Sequence, residues 1–269
     1  GYGATFTEAN SSGECFELSG NRIALMGVRV LGEFDGVTTG LGAAFYNEGD
    51  DNVIYRCTVE NVSGFGVFND AGQRLTVEHC RLLNVGTADD ETKYVAAGII
   101  NFGTTGTRIL NNYLTGWNQA IGLWYDCSGC VVENNKVINN LAYLDSGGPV
   151  PRSAFEDYGT TTPNRGNRWI SNYVDGSTGY CMEVASGCIG TVVEGNVFKN
   201  AGLGTVPTTG TSVIGVTGDG AGAGEWTIGT RIINNDIYGR NASLDNDKVT
   251  VNGHTRDTLF ENNRFYNFK

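Results

Sequence analysis

A short figure recurs nine times along the 269-residue chain, and any fold has to accommodate all nine copies. It appears in CVVENNKVINN (Cys130–Asn140) and again in RILNNYLTG, VVEGNVFKN, RIINNDIYG and LFENNRFYN. Aligned on its central residue, it passes through Val28, Cys57, Cys80, Asn112, Asn135, Asn172, Asn196, Asn235 and Asn263. A large apolar residue stands three positions before each rung, as in Ile109, Val132 and Trp169, and another two positions after it, as in Leu114, Val137 and Val174. Four positions after every rung comes glycine or asparagine. The unit reads as strand, bend, strand, turn, third strand, turn, with apolar residues alternating along each strand. Rungs lie 23 to 39 residues apart, and the shortest steps leave no room for a helix. Three short strands per repeat coil into a prism whose stacked strands are about 4.8 Å apart. In this scheme Asn135 and its equivalents are corners, taking the left-handed bend while their amides bond to the coils above and below.

On these residues the chain resembles the right-handed parallel β-helix of the pectate lyase-like superfamily, from about Asn21 to Lys269. The expected fold is all-β, with about nine coils of three strands and an asparagine ladder. The opening GYGATFTEAN reads as the interior of a polypeptide, so residues 1–269 are expected to be one β-helix domain of a longer or processed chain. The resemblance implies that the ladder bend lies between the second and third strands of a coil. Segments such as IGLWYD are then first strands, whose outer face carries the active groove in that superfamily.

Insertions accumulate beside this face. Segments 33–43, 86–95, 140–153, 201–212 and 240–248 precede first strands, and 159–167 and 217–229 flank the opposite edge. Insertions stacked on one edge build a wall, and a walled groove suits an extended glycan. Counting back twelve residues from the ladder gives Phe45, Phe68, Ile100, Leu123 and Val184 as inward positions. Asn101, Trp124, Asp126, Glu156, Tyr158 and Glu183 are then outward, with Asp157 replacing Glu156 if its coil is shifted by one. Aromatic faces beside carboxylates suit pyranose rings and acid–base chemistry. Glu156 and Glu183 are the expected catalytic pair, assisted by Asp126, with Trp124 and Tyr158 as stacking platforms. Asn101, Asp157 and Arg152 complete the expected substrate contacts. The count offsets the two glutamates by two residues on adjacent coils, about 8 Å between Cα atoms, which favours an inverting glycosidase.

The leading expectation is therefore hydrolysis of a polysaccharide or oligosaccharide by paired carboxylates, without a metal or other cofactor. A lyase or epimerase is the first alternative. It would use Arg152, Arg165, or Lys93 with Tyr94, and calcium held by acidic residues. The second alternative is a non-catalytic glycan-binding or structural β-helix of tailspike or adhesin type. The location expected is extracellular, at a cell surface, or on a virion. A net charge of −11 disfavours nucleic acid as partner, and no apolar run is long enough to span a bilayer. Outward isoleucine, leucine and tyrosine two positions before the ladder point to a packed partner, a homotrimer. The seven cysteines include one local pair, Cys127 and Cys130, expected to be a buried turn pair. His79 is expected at the surface and His254 in a structural role.

Overall fold

The structure is a computed structural model. It describes residues 5–7, 14–32, 42–62, 64–86, 89–90, 94–116, 119–138, 144–145, 148–149, 153–202, 212–218, 225–239 and 249–268. Three parallel sheets run the length of the molecule, and no helix occurs among the described residues. The first sheet has nine strands, from Phe16–Leu18 to Val249–Gly253, and the second nine, from Ala24–Met26 to Leu259–Glu261. The third has ten, from Thr5–Thr7 to Arg264–Tyr266. Each strand pairs only with its counterparts in the coils before and after, so the topology is the nine-coil solenoid that the repeat predicts.

The interior is filled by the alternate apolar positions. Ile109, Val132, Trp169 and Val193 stack from the second sheet, and Leu114, Val137, Val174 and Phe198 from the third, all fully or almost fully buried. Phe155 packs on Trp169 at 5.1 Å between ring centroids. On the last coil the matching inward residues Val251, Phe260 and Phe265 are 44%, 36% and 50% exposed.

The ladder refines the expectation for the asparagine pair. The left-handed residue is the first of the two: Asn111, Asn134, Asn234 and Asn262 have φ between 52° and 57°. The second asparagine is not the bend but the inward side chain behind it. Asn135 donates from Nδ2 to Ile109 O (2.9 Å) and to Asn172 Oδ1 (3.0 Å). Its own Oδ1 accepts the Asn112 backbone N–H (2.9 Å) and Asn112 Nδ2 (3.0 Å). The pattern repeats through Asn172, Asn196 and Asn235 to Asn263, always pointing the same way along the axis. Cys57 and Cys80 occupy the same corner without an amide and direct their thiols at Leu25 O and Ile54 O.

The outward apolar residues of the second sheet differ in exposure, and Tyr55 and Ile170 are half-buried. Leu110 and Ile233 are each only 8% exposed, Leu110 lying in register between Glu78 and Glu133 and Ile233 between Glu194 and Glu261. Cys127 and Cys130 are buried free thiols at the bend after the Gln119–Trp124 strand.

Candidate functional site

The outer face of the first sheet carries side chains in columns set by strand register. One column reads Ile100, Gly122, Glu156, Glu183, Gly215 and Thr250. A second, two residues further along each strand, reads Phe102, Trp124, Tyr158, Ala185 and Thr217. Three residues before the first column stand Gln119, Ser153 and Tyr180. Aromatic rings here form an apolar cluster separate from the interior core. Phe68 meets Phe102 edge-on at 5.3 Å, Phe102 meets Trp124 at 5.4 Å, and Tyr125 meets Tyr158 at 5.7 Å.

Glu156 and Glu183 are direct cross-strand partners, not offset by two residues. Their Cα atoms are therefore about one strand spacing apart, roughly 4.8 Å, which corrects the 8 Å expectation. Glu156 Oε2 accepts Trp124 Nε1–H at 2.7 Å and Gln119 Nε2–H at 2.5 Å, both from the preceding coil. Glu183 Oε2 accepts the hydroxyl of Ser153 at 2.7 Å, again from the preceding coil. Both carboxylates accept from donors on the preceding coil.

Glycines close the pair off above and below. A Cβ on Gly122 would lie 2.3 Å from Ile100 Cδ1 and 3.1 Å from Trp124 Nε1. On Gly215 it would lie 2.7 Å from the Tyr180 ring. Each glycine thus lets an aromatic side chain settle over the backbone beside a glutamate. Burial, and next the charge of Glu183, push the Tyr180 hydroxyl up to about 12, so it is a protonated phenol at neutral pH.

Other expected site residues fall elsewhere. Asn101 points inward and is fully buried. It accepts Asn69 Nδ2–H (3.1 Å), and Asn69 in turn accepts Asn47 Nδ2–H (2.7 Å), forming a second, shorter asparagine stack. Asp157 is also interior, and accepts Asn164 Nδ2 (2.6 Å), Asn167 Nδ2 (3.1 Å) and Thr191 Oγ1 (2.7 Å). Burial raises its pKa against the opposing effect of these donors. Asp126 sits exposed in the bend beyond the strand and does not join the glutamates. Trp124 does face outward, but at 7% exposure it is a hydrogen-bond donor to Glu156 rather than an open platform. Tyr158 is half-buried in the aromatic cluster. Arg152 and Lys93 lie outside the described residues, and Arg165 is exposed on the bend leading to the second sheet.

These corrections share one cause. The register partners Asn101 and Leu123 lie eleven and twelve residues before their ladder rungs, and Asp157 lies fifteen before its rung. The extra residue of the Leu123 coil is absorbed by two consecutive left-handed residues, Tyr125 (φ 52°) and Asp126 (φ 63°), where the coil before uses only Gly103. A fixed count therefore inverts inside and outside: Phe68 and Ile100 pack in the outer cluster, whereas Phe45, Leu123 and Val184 are interior. Gln119, Ser153 and Tyr180 were missed for the same reason. Aligning first strands with one another, QAIG, SAFE, YCME and SVIG, shows the polar residue three before each site position.

No protein-family model and no curated protein matches the sequence. Among solved structures, the chain is similar to a mutant tailspike protein of E. coli bacteriophage HK620 in complex with a pentasaccharide. The identity is 12%, the TM-score 0.61, and 98% of this chain and 54% of that one are covered. It is similar to the A-module of Azotobacter vinelandii mannuronan C-5 epimerase (16% identity, TM-score 0.52, 93% and 75% covered). A glycoside hydrolase gives 14% identity and a TM-score of 0.53, and this chain spans only 38% of its length. At these identities the likeness is one of fold, and the fold is the right-handed parallel β-helix.

Proposed function

We propose that this protein hydrolyses the glycosidic bonds of an extended polysaccharide lying across the outer face of the first sheet, with retention of configuration. The observation that carries the reading is the in-register pair Glu156 and Glu183. Retaining glycosidases hold their two carboxyl groups about 5–5.5 Å apart, inverting ones about 6.5–9.5 Å. A one-rung Cα separation of roughly 4.8 Å, with both side chains accepting from donors on the preceding coil, supports the first class. Elimination is less well supported: the two outward columns of this face contain Glu17, Asp70, Glu156 and Glu183 but no lysine, arginine or histidine among the described residues. The aromatic cluster supplies apolar surface for sugar rings. The similarity to a tailspike solved with a pentasaccharide supports a glycan partner and an extracellular or virion setting.

The test is incubation with a panel of bacterial polysaccharides, followed by product analysis. Hydrolysis releases reducing ends without unsaturated uronate absorbance, and NMR at early times gives the product anomer. Glu156→Gln and Glu183→Gln should each lower the rate by about 10²-fold or more. Wild-type levels in both, unsaturated products, or binding without cleavage would each overturn the reading.

A further inference from the structure

We infer that the two glutamates have distinct roles, Glu156 as the nucleophile and Glu183 as the general acid and base, fixed by positioning residues on the preceding coil. The inference rests on the glycosidase reading above and goes beyond it in assigning each carboxyl its step. Its basis is the chemistry of the partners. Trp124 Nε1–H and the Gln119 amide N–H can only donate, and both point at the same oxygen of Glu156. Two such donors match an ionised carboxylate, since hydrogen bonds to the charged form favour it. Glu183 instead meets the hydroxyl of Ser153, which donates to a carboxylate and can turn to accept from a carboxylic acid. Ser153 therefore suits a residue that gains and loses a proton within each turnover. The Tyr180 ring is seated over Gly215, the register partner of Glu183 on the next coil.

The sequence of steps follows. The Glu156 carboxylate attacks the anomeric carbon as the bond to the leaving oxygen breaks, and Glu183 gives its proton to that oxygen. Glu183, now a carboxylate, takes a proton from water, whose oxygen attacks the same carbon and displaces Glu156. Both glutamates end as they began, and one water is consumed.

Two pairs of variants separate the roles. Substrates are the polysaccharide that the wild-type protein cleaves and a dinitrophenyl glycoside of the oligosaccharide it releases. Glu183→Gln should lose about 10²- to 10⁴-fold in kcat/KM on the polysaccharide but keep most of it on the dinitrophenyl substrate, whose leaving group needs no proton. Glu156→Gln should lose both. With azide, Glu183→Ala should yield a glycosyl azide of retained configuration, and Glu156→Ala one of inverted configuration. Among the positioning residues, Trp124→Phe should lower kcat about 10- to 100-fold on both substrates. Ser153→Ala should lower it on the polysaccharide only, and Ser153→Thr should restore it. Thermal midpoints close to wild type exclude misfolding of these near-isosteric variants. The reverse pattern of leaving-group dependence and azide stereochemistry would overturn the assignment while leaving the hydrolase reading intact. A wild-type protein that cleaves no glycan would overturn both.

Discussion

Replacing Asn135 by alanine tests whether the inward amides hold the coils together. The variant removes the Oδ1 that accepts both the Asn112 backbone N–H and Asn112 Nδ2, and the Nδ2 that donates to Ile109 O and Asn172 Oδ1. Asn112 Nδ2 retains Val77 O (3.0 Å) and Asn135 N–H still reaches Asn172 Oδ1 (2.9 Å), so not every group is orphaned. The Asn112 N–H and the Ile109 carbonyl carry most of the loss, each buried and costing about 1–3 kcal/mol when unsatisfied. The expected destabilisation is about 2–5 kcal/mol. At roughly 2–4 °C per kcal/mol for a chain of 150–250 residues, the thermal midpoint should fall by about 4–20 °C. The same substitution at Asn263 removes the equivalent acceptor from Asn235, but at a partly exposed rung where water can replace it. Midpoints for both variants, followed by circular dichroism, provide the assay. If Asn135→Ala costs no more than Asn263→Ala, burial of these bonds is not what makes the column stabilising, and the argument fails.

Gly122→Ala would place a Cβ against Ile100 Cδ1 and 3.1 Å from Trp124 Nε1, tilting the indole away from Glu156. Activity on a cleaved polysaccharide should fall about tenfold or more, while circular dichroism stays that of a β-helix; wild-type turnover would refute the role given to Trp124. Asp157→Asn keeps both acceptor bonds from Asn164 and Asn167, and the Thr191 hydroxyl can rotate to accept. Because burial raises the Asp157 pKa above its usual 3.8, its carboxylate form costs stability at neutral pH. That cost disappears as pH falls through the folded-state pKa toward 3.8, so wild type should gain on the variant between pH 7 and pH 4. A wild-type midpoint that drops relative to Asp157→Asn over that range would contradict the sign. Tyr180→Phe keeps the ring over Gly215 and should leave the thermal midpoint within a few degrees of wild type, whereas Tyr180→Ala should lower activity by removing the ring from the register partner of Glu183.

The coil number and the three-strand unit were legible because they depend on apolar residues recurring at fixed offsets from the ladder, whereas most of the insertions expected to wall the first-sheet face lie outside the described residues. Position along the second and third sheets was legible too, since the bend between them is two residues long in every coil. What could not be counted was the bend between first and second sheets. Tyr125 with Asp126, and Ser186 with Gly187, each take two left-handed residues where the Phe65–Asp70 and Ala97–Phe102 coils take one, Ala71 and Gly103, and this flips the parity of everything upstream. Asn101 and Asp157 were read as surface residues for that reason, although a polar side chain at the end of a first strand can be interior when a stacked partner satisfies it. Glu156 and Glu183 survived the slip because both lie in coils whose outward positions happened to be read correctly, but their mutual offset did not.

Strand pairing in register turns the solenoid into a ruler. The distance between groups in one column can take only whole multiples of the strand spacing, whatever the loops do. Inserting between Phe155–Tyr158 and Met182–Ala185 one coil with an asparagine corner, and glycine in place of the outward glutamate, would add a rung in register with both neighbours. The glutamates would then stand about 9.6 Å apart, near the upper limit for an inverting pair. In such a scaffold the stereochemistry of hydrolysis becomes a matter of counting coils, open to change by the insertion of a single one.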